Sequence, residues 1–160
     1  ASVEYSSQKS IRSDIKRAFS KLENVGWNKI SDEEKIKKLS SGITKLWQAH
    51  AFQEGNTRTI GVFLDVYARE KNIPMDYEVI KENPDYFRNT LVLATVDETK
   101  YIESMIKGCI ESGKEKMFRK KKQKRRLYSP NRRKQRSHHR QLYWRRPPTP
   151  IVRHTMQIVM

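Results

Sequence analysis

Apolar residues in the first two-thirds of the chain recur at helical spacing. After "VEYSS" (residues 3 to 7), a β-tolerant stretch, Ile11, Ile15, Phe19 and Leu22 mark one face of a helix, with Ser7 as its candidate cap. The break "ENVGWNK" follows. Ser31 and Glu34 have the spacing of a capping box, and Ile36, Leu39, Ile43, Leu46 and Trp47 form a core-facing stripe that runs into His50. Gly55-Asn56 interrupts that helix, and Ile60, Phe63, Leu64 and Tyr67 carry another to about Lys71. Asn83-Pro84 opens a helix through Phe87, Leu91 and Ala94. Asp97 is expected to cap a last one, striped by Ile102, Met105, Ile106, Cys109 and Ile110 and ending near Ser112-Gly113. Amphipathic helices joined by short connections predict an all-α bundle.

Charge divides the chain differently from hydropathy. All 18 acidic residues lie at or before Glu115, where 18 of the 34 Lys and Arg balance them, so the net +16 belongs entirely to residues 116 to 160. That stretch has several prolines and no helical stripe, and is read as a disordered basic tail attached to a domain over residues 1 to 115. Such a tail is a solvated arm, the product of a shifted reading frame, a nuclear-import-like address, or a surface for nucleic acid or acidic membrane, with Tyr128, Tyr143 and Trp144 available to stack on bases. His138, His139 and His154 lack metal-ligand spacing.

The single cysteine excludes an internal disulfide and a Cys-based zinc site, and its place on the last apolar stripe makes Cys109 a packing residue. A reducing, cytoplasmic setting is expected. No apolar run approaches the roughly 20 residues of a membrane span, and no signal-peptide pattern opens the chain. The chain starts at Ala1, and its true start is expected to lie upstream.

The chemistry concentrates in "HAFQEGNTRT", residues 50 to 59. Singly, these are the residues of an ordinary turn between helices. Together they supply a base, an anion nest, a phosphate clamp and a metal carboxylate. The helix starting near Asn56 offers unpaired N–H groups and the positive end of its dipole. Gly55 admits an anion close to the backbone, and Arg58 in the first turn adds a guanidinium. Glu54 brings a carboxylate next to that anion site, which is repulsive unless a cation such as Mg²⁺ lies between. His50 closes the incoming helix, faces the same space and is the candidate base. Phe52 is expected to point into the core and hold the loop.

This stretch closely resembles the motif of the Fic family, His-x-Phe-x-(Asp/Glu)-Gly-Asn-x-Arg. The resemblance extends through "ISDEEKIKKLSSGITKLWQAHAF" and "NPDYFRNTLVLATVDETKYIESMI", about residues 3 to 112. It implies a Fic-type helical bundle with a short β flap at the N-terminus, residues 3 to 7, inside which this chain begins. It also implies transfer of AMP from ATP to a Ser, Thr or Tyr hydroxyl of a target protein that pairs with the flap by strand addition. His50 would be the general base, Glu54 the Mg²⁺ ligand, and Gly55, Asn56, Thr57 and Arg58 the phosphate-binding residues; Phe52 would be structural. The alternatives are another nucleotide or phosphate donor, de-AMPylation on the same fold, or a nucleic-acid-binding protein acting through its tail. The implied setting is the cytoplasm of a bacterium, or a host cell that receives the protein as an effector. The sequence departs from the family pattern at Ala51, where Pro is usual, and at Gly61, where many members carry a second arginine. No Ser/Thr-x-x-x-Glu-Gly/Asn inhibitory pattern occurs, so inhibition is expected from a missing N-terminal part or a regulatory partner protein, if it exists at all.

Overall fold

The structure is a computed structural model that describes residues 3 to 128. Six helices follow one another: α1 (Ile11–Glu23), α2 (Asp32–Gln48), α3 (Asn56–Glu70), α4 (Glu78–Lys81), α5 (Pro84–Ala94) and α6 (Lys100–Leu127). Among the described residues there is no strand, and no helix is long and apolar enough to cross a membrane. The protein is all-α. Two units divide the chain, residues 1 to 119 and 120 to 160.

The first unit is built around α2 and α3. The Ser31 hydroxyl accepts from the Glu34 amide while Glu34 returns a carboxylate to the Ser31 N–H, so the expected capping box starts α2. Pro84 begins α5 where its missing N–H costs nothing. α1 packs on α2, α2 on α3 and α5, and α3 on α5. Leu39, Ile43, Trp47, Leu64, Phe87, Leu91, Ile102 and Ile106 share one buried core. The Trp27 indole donates to the Tyr67 hydroxyl (2.9 Å), which donates to the Leu22 carbonyl (2.9 Å), so the break after α1 is tied to α3 through buried polar atoms that leave none of their own unpaired.

Several expectations need correction. Ser10 rather than Ser7 stands at the N-cap of α1, and the Ser7 carbonyl accepts from Ser10 and Ile11 instead. Phe19 is 41% exposed, because the buried face of α1 runs through Ala18 and Leu22. Asp97 does not cap the last helix: it turns the chain at φ +66°, its carbonyl accepts from Thr99, and α6 starts at Lys100. Nor does α6 end at Gly113. It continues to Leu127, so residues 116 to 127, read as disordered from their charge, are helical. Lys and Arg are good helix formers, and at a helix C-terminus they complement the dipole; a missing apolar stripe means only that the extension buries nothing. The rest of the basic tail, from residue 129, lies outside the described residues. Residues 3 to 7, expected as a β flap, have no strand to pair with here. They are held by the Ser6 N–H on the Gln48 carbonyl (3.2 Å) and the Gln48 side-chain amide on the Glu4 carbonyl (2.9 Å).

Candidate active site

The turn between α2 and α3 is fixed by its own side chains. Gly55 is the N-cap of α3 at φ +79°, the left-handed region where a β-carbon is unwelcome. Asn56, buried at the first helical position, folds its amide back on the loop. Its Oδ1 accepts from the Phe52 N–H (3.1 Å) and its Nδ2 donates to the Phe52 carbonyl (2.6 Å). Phe52 therefore holds the loop through its backbone. Expected in the core, Phe52 is instead 53% exposed, on a loop whose backbone Asn56 already holds. One turn behind, the Trp47 indole donates to the Thr57 hydroxyl (3.0 Å), which locks the end of α2 to the first turn of α3.

His50 closes α2 at φ +49°, with its amide on the Trp47 carbonyl (3.0 Å). A non-glycine residue held there is strained, and such strain gathers at functional sites. The imidazole packs in a cluster with two aromatic rings that also touch each other: Tyr5 at 4.0 Å between centroids, tilted by 36°, and Trp47 at 6.3 Å, edge-on. Its Nδ1 is buried there without a hydrogen-bond partner, which leaves Nε2 as the nitrogen open to solvent and ligand.

The α3 N-terminus has neither a side-chain cap nor an acidic residue in its first turn. The first backbone donor of the helix to find a carbonyl is Thr59, on Gly55 (2.9 Å), so the amides of Asn56, Thr57 and Arg58 precede the ladder. Their partial charge is uncompensated by the protein. Arg58 is exposed, and its guanidinium folds back over Gly55, with Nη2 3.5 Å from where a β-carbon would stand. Glu54 is exposed at the mouth of the same turn.

All six residues singled out from the sequence, His50, Glu54, Gly55, Asn56, Thr57 and Arg58, line one cleft of about 840 Å³. Its other walls were not legible in the sequence: Tyr5 comes from the N-terminal segment, Tyr77, Ile80 and Lys81 from the α4 region, and Asp85 and Arg88 from α5. α4 has no periodic signal, and only the tertiary fold brings those side chains across from the motif. Lys81 is ion-paired with Glu78 (3.1 Å). Gly61 is buried, and a β-carbon there would meet the Tyr77 ring at 3.2 Å and its hydroxyl at 3.3 Å. Tyr77 thus fills the space a longer residue at 61 would need. Cys109 lies far from this chemistry in the core, fully buried, and burial pushes its thiol up to about 12, which leaves it unreactive.

The donor set suits a cation only in company. Among the described residues no three His, Cys, Asp or Glu side chains cluster to hold a metal. A single accessible carboxylate beside an anion nest does match Mg²⁺, which takes one or two protein carboxylates and completes its shell with phosphate oxygens and water. No family model, no curated protein and no solved structure matches this chain.

Proposed function

We propose that the chain is a Fic-type protein adenylyltransferase: it transfers AMP from ATP to a hydroxyl of a target protein. The observation that carries this reading is the uncapped, acid-free N-terminus of α3 opening on the same cleft as the strained His50. In this reading the amides of residues 56 to 58 and the Arg58 guanidinium bind the phosphates and meet the charge that develops on them. His50 Nε2 takes the proton of the target hydroxyl, whose oxygen attacks the α-phosphorus as pyrophosphate leaves. Glu54 would hold Mg²⁺, which supplies charge neutralisation between carboxylate and phosphates when bound. Arg88, across the cleft, is a further cation for the phosphate chain where Gly61 provides none. Residues 3 to 7 border the cleft through Tyr5, and in this reading a target strand pairs with that segment.

The test is incubation of the protein with labelled ATP, Mg²⁺ and a cell lysate, beside the variant His50→Asn. Asn tolerates φ > 0, so this variant removes the base without adding backbone strain. Labelled AMP on protein, falling about 10²- to 10⁴-fold in the variant, is the expected result. Equal labelling by both proteins would overturn the assignment of His50. A screen of other labelled nucleotides tests the donor, and a labelled target incubated without nucleotide tests removal of AMP.

A further inference from the structure

α1 and α2 meet at Gly42, where a β-carbon would run into the Leu22 side chain. A groove follows this contact along the surface, in two stretches of about 490 and 350 Å³ that share Ala18, Lys21 and Lys45. Its cations are Arg17 and Lys21 from α1 and Lys37, Lys38 and Lys45 from α2, all exposed. Among the described residues only Arg17 of these five has a carboxylate partner, Asp14 at 3.6 Å, and that carboxylate also accepts from the Ser6 hydroxyl (2.8 Å). The stretch over Leu22 is lined by four lysines and no acid. Residues 1 to 115 are balanced in charge, so this is a local excess. Lys21 and Lys45 complement the dipoles of the helices they end, but Lys37 and Lys38 lie inside α2 and answer no such need. Between the cations the floor is apolar: Ala18, Leu22, Val25 and the bare backbone of Gly42.

We infer that this groove docks an acidic polypeptide segment of a partner protein. A cationic rim around an apolar floor asks for a ligand that brings carboxylates to the one and apolar side chains to the other. A nucleic-acid backbone supplies the charge and nothing for the floor. A peptide in which Glu or Asp alternates with Leu or Val supplies both. The rim charges steer the encounter and fix its register, and the apolar contact slows departure. Residues 116 to 160 carry no acidic side chain, so that part of the chain cannot be the occupant. At its Glu4–Ser7 end the groove reaches Tyr5, which also lines the cleft of His50. A segment that leaves the groove at that end therefore runs toward the cleft. Docking itself does not depend on the transfer chemistry proposed for that cleft.

The experiment mixes the full chain with a peptide of Glu–Leu repeats, joins carboxylates to neighbouring lysines with a carbodiimide, and maps the adducts by mass spectrometry. Adducts on Lys21, Lys37, Lys38 and Lys45 should exceed those on Lys16 and Lys29, which are exposed outside the groove. Replacing Lys21 and Lys45 together by Gln should lower the yield at Lys37 and Lys38 about three- to tenfold, the effect of two exposed ion pairs. Replacing Lys16 and Lys29 together by Gln removes the same charge and should leave that yield unchanged; equal melting temperatures check that both variants fold. An equimolar oligodeoxynucleotide should leave the groove adducts in place, because the 16 cations beyond Glu115 take it up. Adducts spread evenly over the lysines, confined to residues 116 to 160, or lowered equally by both pairs of substitutions overturn the inference. Loss of the groove adducts to the oligodeoxynucleotide overturns it as well, and makes the groove a nucleic-acid surface.

Discussion

His50 and Glu54 stand four residues apart, yet their surroundings ask different things of them. His50 holds φ +49°, which costs a β-carbon-bearing residue roughly 1 to 2 kcal/mol, and its Nδ1 has no partner to orient the ring. Packing against Tyr5 and Trp47 does that work instead. Glu54 is exposed beside the uncapped N-terminus of α3, and in the proposed reading its charge has meaning only once phosphate arrives. The expected outcome is that calorimetry finds Mg²⁺ tightening ATP binding in the wild type, and that Glu54→Gln or added EDTA removes this gain. Without nucleotide, Mg²⁺ alone should give no measurable heat. An equal Mg²⁺ effect in wild type and variant would leave Glu54 without a metal role. The consecutive residues His50 to Arg58 were legible in the sequence because a turn between two helices keeps sequence neighbours together in space. Phe52 was misread for a related reason: an aromatic between polar residues suggests an anchor, but Asn56 already holds the loop through hydrogen bonds that a sequence does not display.

Between elements, the close approaches are made at glycines, and within the first unit these decide how the first part of α6 packs. The Asp76 N–H donates to the Cys109 carbonyl (2.9 Å), and a β-carbon at Gly113 would lie 2.6 Å from the Met75 nitrogen and 2.7 Å from the Pro74 carbonyl carbon. Those are backbone atoms and cannot swing aside. Gly108, five residues earlier on the same helix, has nothing within 4 Å of the same position. Gly113→Ala should therefore destabilise the protein by about 1 to 3 kcal/mol, as overpacking does, while Gly108→Ala should stabilise it by about 0.5 to 1 kcal/mol through helix propensity. Denaturant melts of the two variants check the opposite signs; the same sign for both would mean that α6 does not pack as described. Gly113 also shows why the sequence misplaced the end of α6. A glycine after an apolar stripe has the look of a C-cap, and whether it ends a helix or lets another segment touch it depends on a contact with residues some forty positions away. The helices themselves were legible where period, cap and proline agreed, as in α2 and α5.

For the molecule as a whole, charge and fold place the boundary at different residues. Balanced charge ends at Glu115, but Lys116 Nζ reaches back to the Asp76 carboxylate at 2.7 Å, and the Ser112 hydroxyl donates to it at 2.6 Å. Together they hold the Asp76 carboxyl below the usual carboxylate range, with Lys116 the larger cause. Cutting after Glu115 would remove that lysine, whereas cutting after Arg119 keeps the whole first unit. The shorter protein should be less stable by about 1 kcal/mol, since Lys116 is half exposed and its ion pair is partly screened by solvent. A lowered folded pKa contributes stability that is complete above the unfolded value, about 3.9, and is lost as pH falls through the folded one. The gap between the two truncations should accordingly be full at neutral pH and narrow below about pH 4. Both cuts should abolish salt-sensitive adhesion to DNA or RNA, because 14 of the 16 cationic side chains beyond Glu115 lie beyond Arg119. Transfer of AMP should survive the cut after Arg119, since that protein keeps every residue of the cleft. The measurements are thermal melts across pH, binding to a labelled oligonucleotide across salt, and labelled-ATP transfer, on all three lengths. A cut after Arg119 that unfolds the protein or ends transfer would show that the basic segment supports the first unit. Nucleic-acid binding that survives the same cut would move the cationic surface onto the bundle itself.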